Sequence, residues 1–563
     1  MLERVLGARG IGDEQAAAFL EPKLSQLHDP SLMPGLDRAA QRVLDAVRAG
    51  ERVVIYGDYD VDGVSATAIL YHSLRAIDPS CDLGTYVPHR LEEGYGLNAA
   101  SIADLCRGTP ESPPARVIVS VDCGITAVAP ANVARELGTD LIITDHHNPP
   151  TDGQELPRAF ALVHPRLPGS AYPFGDLCGA GVAFKLAWRL MTLAAGSARL
   201  DERMRGVLLE LLGLCSLGVV ADVVPLVDEN RVIARFGLSR IKHSTIEGLH
   251  ALVEASGLSG ENIKAEDVGF KLGPRLNACG RMGHAREAVE LLTTAQGARA
   301  RAIAEDLTRK NDERRKTEKV IFEQACALAE TAGMTGEASR AIVLSQPGWH
   351  AGVVGIVCSR LVEKYHRPAI LLCEKEEDGR VLLHGSGRSV EGVNLHGAIQ
   401  DASAHVESFG GHDMAAGLKL RAGALDSFRG AFAASVARVL RPEDMFGRAE
   451  FDTDAGLHEI TAPAVRSLES LAPFGRGNPT IVIRLPGLQV AQRPVLMGAD
   501  AHHLSLHLRS RDGHMVRAVA WRWAAHAGML PQGTPVDVLA TPRINAWNGA
   551  SKVELEVVDI AIH

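Results

Sequence analysis

From Arg52 to about Val224, short continuous apolar runs alternate with longer runs of helical period: RVVIYG, VSATAILYHSLRAI, ARVIVSVD, AVAPANVAREL and DLIITDHH follow one another. Continuous apolar strands separated by helices are buried on both faces, so the pattern predicts a parallel sheet with crossover helices. Ahead of it, residues 1–45 carry amphipathic stretches (EQAAAFL, LDRAAQRVLDAVRAG) that predict helices leading into the first strand. The stretch 285–330 contains no proline and one glycine, with charges at helical spacing, and predicts one long connecting helix. Strand and helix periods return after Gly333 (ASRAIVLS, GVVGIVCSRLVEKYH, RPAILLC). Beyond about Arg448 only short β-type runs remain, such as TIVIRL, HHLSLHLRS and KVELEVVDIAI. The expected architecture is α/β: a helical segment 1–45, a parallel-sheet domain 46–235, a helical region 236–332, a second α/β domain 333–440 and a small β-barrel 445–563.

Composition narrows the class of protein. The chain is 46% hydrophobic and 23% charged, and no apolar run reads as approaching the roughly 18–20 residues of a membrane span. MLERVLGARGIGDEQ has no apolar stretch after its charges, so it lacks the layout of a secretory signal and a cytoplasmic protein is expected. Nine scattered cysteines, with no C-x-x-C pair, encode neither a disulfide framework nor a cysteine zinc site. A net charge of −9 argues against a surface coated in positive charge, so any nucleic-acid contact must be a local groove.

The candidate chemistry lies at the strand ends. The first strand runs into Gly57-Asp58-Tyr59-Asp60-Val61-Asp62-Gly63, with carboxylates at alternate positions that point the same way in an extended segment. Three converging like charges repel unless a cation sits among them, although aspartates also serve loops and helix caps. The second strand ends at Asp122 and the third at Asp145-His146-His147. Ligands of open parallel sheets bind beyond the carboxyl ends of the strands, so the three ends face one crevice. Asp222, flanked by apolar residues in GVVADVVPL, has little reason to exist unless paired or bound. Asp60, Asp62, Asp122, His146 and Asp222 supply enough ligands for two divalent ions, which can activate a water and stabilise the leaving oxygen of a phosphoryl ester. His147 and Asp58 are left over, to donate to a phosphate oxygen or orient a ligand.

These residues resemble the DHH phosphoesterase superfamily, named for a tripeptide matching Asp145-His146-His147, and within it the RecJ family of bacterial single-strand-specific exonucleases. GDYDVDG (57–63), EEGYGLN (92–98), VDCGI (121–125), TDHH (144–147), VADVVPL (220–226), RLNACGRM (275–282), HAGVVGI (350–356), GSGRS (385–389) and GGHDMAAG (410–417) stand in the family order. The family's usual Asn-Gly is Cys123-Gly124 here, and its usual Ala is Cys279. The resemblance implies two Mn²⁺ or Mg²⁺ ions on Asp60, Asp62, Asp122, His146 and Asp222, with His147 beside the scissile phosphate. It implies a second domain that clamps substrate and an OB-like barrel that holds the strand farther out. Arg281, Ser386 and Arg388 would form the pocket for the 5′ end, with Asn277 of the same RLNACGR motif also on substrate. It further implies 5′→3′ hydrolysis of single-stranded DNA to 5′-mononucleotides in DNA repair and recombination. A monomer working with a single-strand-binding protein and a RecQ-type helicase is expected.

Most of the remaining candidates keep two readings. Gly410-Gly411-His412 offers open backbone N–H groups and an imidazole for a phosphate, or an ordinary turn. His350 reads as structural. Trp521, Trp523 and Trp547 are stacking platforms for bases or core residues. Arg314, Arg315 and Lys316 line a groove for the DNA backbone or a solvated helix face. Rival functions are a phosphodiesterase of short oligoribonucleotides or cyclic dinucleotides, against which the barrel argues, and a non-catalytic replication component, against which the intact acids argue. A pyrophosphatase of the same superfamily would be a much shorter chain.

Overall fold

The computed structural model describes residues 1–563 other than 91, 111, 151–154, 378 and 548–549, and leaves out the side chains of 546–551. The first sheet has the order β2-β1-β3-β4-β5, all parallel: β1 Val53–Gly57, β2 Leu83–Tyr86, β3 Val117–Val121, β4 Asp140–Thr144 and β5 Ala161–Val163. Every residue of β1 and β3 is buried, as continuous apolar runs require. One face packs against α3 (Leu36–Arg48), α4 (Val61–Ile77), α7 (Gly179–Ala195) and α8 (Glu202–Ala221), numbering α1 (Leu2–Ala8), α2 (Asp13–Leu20), α5 (Ala99–Arg107) and α6 (Val128–Glu136) in chain order. The other face packs against α5 and α6. α8 is long and apolar enough to cross a membrane, contrary to the expectation from the chain's apolar runs. Here it is a core helix, packed on α4, α7 and α9 (Asp228–Ile241).

A buried ionic network ties this layer together. Lys185 of α7, with no exposed side-chain surface, pairs with Glu229 of α9 and donates to the His28 carbonyl at 2.7 Å. Glu229 also accepts from His28 N at 2.7 Å and from the Tyr172 hydroxyl.

The second sheet has the order β6-β7-β8-β10-β9: β6 Ile342–Ser345, β7 Ala369–Glu377, β8 Arg380–Arg388, β9 Ser408–Gly411 and β10 Ala415–Arg421. The third sheet closes. β12 (Ile483–Val490) pairs with β16 (Pro535–Trp547), then come β17 (Ala550–Ile562), β15 (Met515–Ala520) and β14 (His503–Arg509), which returns to β12; β11 (Thr453–Asp454) and β13 (Val495–Met497) are appended. This barrel is not wholly antiparallel, because β15 runs parallel to β17.

Two expectations about helices change. The connecting helix is broken: Arg286–Thr293 and Gly297–Thr331 are separate, with Gly297 at φ +50° opening the second. The segment 1–45 is also divided. α3 belongs to the first core, whereas Val5 and Leu6 of α1 enter the barrel core and Phe19 of α2 packs beside it. Arg9 locks that junction through Asp452 at 2.7 Å and Asn478 at 2.6 Å. An amphipathic helix specifies that one face is buried, not which distant element covers it.

Candidate metal centre

Five loops converge at the carboxyl edge of the first sheet. Asp60 caps α4, its Oδ1 accepting from Asp62 N (2.9 Å) and Gly63 N (3.1 Å), which leaves its second oxygen free. Asp62 lies in the first turn of α4 and accepts from Gly179 N (2.6 Å) and Ala180 N (2.9 Å) at the start of α7, so two helix N-termini face one carboxylate. Small residues make this approach possible. A Cβ on Gly218 would stand 2.2 Å from Asp62 Oδ1, and one on Gly179 2.5 Å from Asp122 Oδ1.

Asp122 leaves β3 with φ +63°, a left-handed conformation that non-glycine residues adopt at a cost and that surrounding structure must enforce. His146 Nε2 lies 3.1 Å from Asp122 Oδ1, 3.7 Å from Asp222 Oδ2 and 3.8 Å from Asp62 Oδ2. Asp222 caps the C-terminus of α8, where the helix dipole disfavours an anion. Ligand atoms fall within 4.8 Å of one another in three groups: Asp122, His146 and His147; Asp62, His146 and Asp222; and Asp58, Asp60 and Asp122. All five residues read as ligands are thus brought together, and Asp58 stands among them rather than behind them. Asp122 and His146 each serve two groups.

The donor set fits divalent cations. Asp58 Oδ1, Asp122 Oδ1 and His146 Nε2 are buried and make no hydrogen bond within the protein, an arrangement costly to keep unless a ligand engages them. Burial and the neighbouring acids push the Asp58, Asp62 and Asp122 carboxyls up. Burial, then the charges of Asp62 and Asp60, lifts Asp222 to about 8. Burial lowers His146 to about 4, keeping its ring neutral with a lone pair to donate. Oxygen-rich sites with one imidazole suit Mn²⁺ and Mg²⁺.

A stability test follows from these shifts. A carboxyl raised in the folded state contributes stability that is whole below its unfolded value and lost as pH rises through the folded value, for Asp222 from 3.8 to about 8. Metal-free protein should therefore melt several degrees lower at about pH 8.5 than at about pH 6, at ~2–4 °C per kcal/mol. Saturating Mn²⁺ should remove the difference. Thermal scans in EDTA that stay flat over this range would show that the acids do not repel.

Asp145 is a positioning residue. Its Oδ1 accepts from His146 N (2.7 Å), His147 N (3.1 Å) and His147 Nδ1 (2.8 Å), and its Oδ2 from Ile125 N (2.9 Å). Burial opposes its charge, but the His147 hydrogen bond holds it well below the usual carboxylate range. Burial likewise opposes charge on His147, yet the Asp145 hydrogen bond and charge raise it to about 9. The Tyr95 hydroxyl reaches the same ring at 3.1 Å.

On the Asp60 side stands a group of arginines. Arg281, on the helix Gly273–Met282, has Arg90, Arg314, Arg388 and Asp60 as its charged neighbours, and burial lowers it to about 9. Ser386 and Arg388 lie on β8, their Oγ and Nη1 3.4 Å apart. Arg90 covers the Tyr59 ring at 4.7 Å. Asn277 Oδ1 accepts from Val61 N at 3.1 Å and fastens the start of α4. On the Asp222 side, a cavity of about 510 Å³ is lined by His146, Asp222, His412 and Arg476 among others. Gly411 precedes it at φ +139°, where a Cβ would meet Ala415 O at 2.4 Å.

His350 caps the helix Ala351–Tyr365 through Gly352 N, a structural role. Arg314 pairs with Glu318 at 3.0 Å, while Arg315 and Lys316 are exposed. Trp521 is half exposed and meets His503 edge-on, Trp523 packs against the barrel core, and the Trp547 side chain lies outside the described residues. Arg90, Arg166 and Arg476 escape sequence reasoning. Only Arg90 carries a signal, its place just before the EEGYGLN motif.

Known proteins share the domains that carry this site. Residues 52–219 match the DHH family N-terminal domain, 338–438 the DHHA1 domain and 451–559 the RecJ OB domain. The single-stranded-DNA-specific exonuclease RecJ of Bacillus subtilis is 36% identical over 551 residues, covering 98% of this chain and 66% of that protein. The protein of the same name from Salmonella typhimurium is 35% identical, covering 84% and 81%. The crystal structure of RecJ from Thermus thermophilus in complex with Mn²⁺ superimposes with a TM-score of 0.81 at 31% identity, covering 100% of this chain and 75% of that one. The Mg²⁺ complex gives 0.76 at 29% identity, covering 99% and 74%.

Proposed function

This chain belongs to the RecJ family, and from that premise we propose that it is a metal-dependent exonuclease that hydrolyses single-stranded DNA from the 5′ end to 5′-mononucleotides. The observation that carries the reading is the set of buried Asp58, Asp122 and His146 atoms without hydrogen bonds, gathered in one acid-lined site. Bound Mn²⁺ or Mg²⁺ supplies Lewis-acid polarisation of the phosphoryl oxygens and a nucleophile from water at neutral pH. Asp58, Asp60, Asp62, Asp122, His146 and Asp222 would hold the ions.

The chain's own groups do the rest. His147, held by Asp145 through Nδ1, turns its ring toward the scissile phosphate, where negative charge grows during displacement. Arg281, Arg388 and Arg90 form a cationic end pocket beyond Asp60, and guanidinium forks grip a terminal phosphate in two directions at once. A strand whose 5′ phosphate is seated there presents its first linkage to the acids, which gives the polarity. The barrel offers the half-exposed Trp521 as a stacking surface farther along. Action in the cytoplasm, in DNA repair and recombination, with a single-strand-binding protein and a RecQ-type helicase, is part of the same reading.

Digestion of single strands labelled near either end, in Mn²⁺ and in EDTA, tests it. Metal-dependent release of mononucleotides from the 5′ end, with blunt duplex resistant, is the expected result. A strand bound but left whole in Mn²⁺ would replace the enzyme by a binding protein.

A further inference from the structure

The cavity on the Asp222 side is lined by an arginine to which the reading above gives no role. Arg476 lines it, is a charged neighbour of Asp222, and is exposed with no hydrogen-bond or ion-pair partner for its guanidinium among the described residues. Its backbone is nevertheless locked. Arg476 O accepts from Leu226 N at 2.7 Å, and Gly475 and Asn478 pair across the turn. The buried Asn478 side chain donates to Leu471 O and Pro473 O at 2.8 Å each and accepts from Arg9 at 2.6 Å. The turn that carries Arg476 is therefore bolted to the segment that follows Asp222. An unpaired cation on a rigid support beside a catalytic centre is preorganised to meet an anion.

Arg166 and Asn148 line the same cavity. Arg166 donates to the His146 carbonyl at 2.5 Å with one nitrogen, which leaves the rest of its fork available. Asp176 and Asp413 also stand on the wall, so an anion is held only where the arginines outweigh them.

We propose that Arg476, aided by Arg166 and Asn148, forms a phosphate subsite on the far side of the metal cluster from the 5′ pocket, binding the first linkage of the strand that remains after each cut. The inference rests on the exonuclease reading. Arg281 has Asp60 among its charged neighbours, whereas Arg476 lines the cavity with Asp222, which groups with Asp62 and His146 and not with Asp60. On this proposal a strand seated by its 5′ phosphate beside Arg281 leaves through the cavity beside Asp222. Holding that linkage aligns the scissile bond and keeps the shortened strand engaged for the next cut.

The test uses the full chain in Mn²⁺ with two single strands, one natural and one carrying a neutral methylphosphonate at the linkage just 3′ of the scissile one. For the unaltered protein, neutralising that linkage should lower kcat/KM about tenfold, the scale of one charge-assisted hydrogen bond. Arg476→Ala should lose a similar factor on the natural strand, mostly through KM, and nothing further on the neutralised one. Arg476→Lys should recover part of the loss. Equal losses by Arg476→Ala on both strands, or none on the natural strand, would overturn the subsite. Unchanged melting temperature of Arg476→Ala checks that folding is intact. If the unaltered protein leaves the natural strand whole, it is the exonuclease reading that has failed, and the subsite falls with it.

Discussion

Replacing Asp122 by alanine should abolish strand hydrolysis while leaving single-strand binding largely intact. Asp122 belongs to two of the three ligand groups, and its Oδ1 lies 3.1 Å from His146 Nε2. Removing it disturbs both halves of the centre. Loss of about 4 kcal/mol of charge stabilisation corresponds to roughly a 10³-fold fall in kcat. Binding survives because the arginine pocket, the second domain and the barrel are separate from the Asp122 loop. The measurement is single-turnover cleavage beside fluorescence anisotropy of a labelled strand, in Mn²⁺. A variant that keeps more than about a tenth of the activity, less than about 1.4 kcal/mol of effect, would remove Asp122 from the chemistry. Metal-free Asp122→Ala should also melt no lower than metal-free unaltered protein, because deletion relieves repulsion among buried carboxylates.

The second large effect concerns folding. Lys185→Met should destabilise the protein by about 3–5 kcal/mol, the cost of breaking a buried pair and leaving one charge uncompensated. Glu229 would keep its donors from His28 N and Tyr172 but lose its cationic partner in the network. At ~2–4 °C per kcal/mol for a domain of this size, the melting temperature should fall by at least about 6 °C. The double variant Lys185→Met with Glu229→Leu should recover most of it, since a well-packed apolar replacement of both partners is often neutral. A single variant as stable as the unaltered protein would mean that the buried pair adds nothing to the stability of the fold. The network matters to the site because α7 begins at Gly179 and Ala180, the two donors to Asp62, and Lys185 anchors the same helix within two turns of them.

Much of the site is legible in the chain itself. Buried parallel strands are continuous apolar runs, so a carboxylate or imidazole directly after one breaks the pattern visibly. Asp58, Asp60, Asp62, Asp122 and His146 stand out in that way and Asp222 by its apolar flanks, though the pattern sets Asp58 beside the ligands and the fold sets it among them. The arginines do not stand out. Arg166 and Arg476 are loop residues in a chain with 59 basic side chains, and nothing in their spacing separates them from solvated charge.

The sequence alone determined the element types, the parallel sheet and the acidic strand ends, because these follow from local periodicity and from the cost of burying charge without a partner. Tertiary structure decided the rest: that α1 and α2 leave the first domain for the barrel 450 residues away, that β14 returns to β12 to close it, that Lys185 finds Glu229, and that Arg476 lines one cavity with Asp222. Each of these depends on which distant surfaces meet. Amphipathicity and charge state that a group needs a partner, and only packing supplies which one.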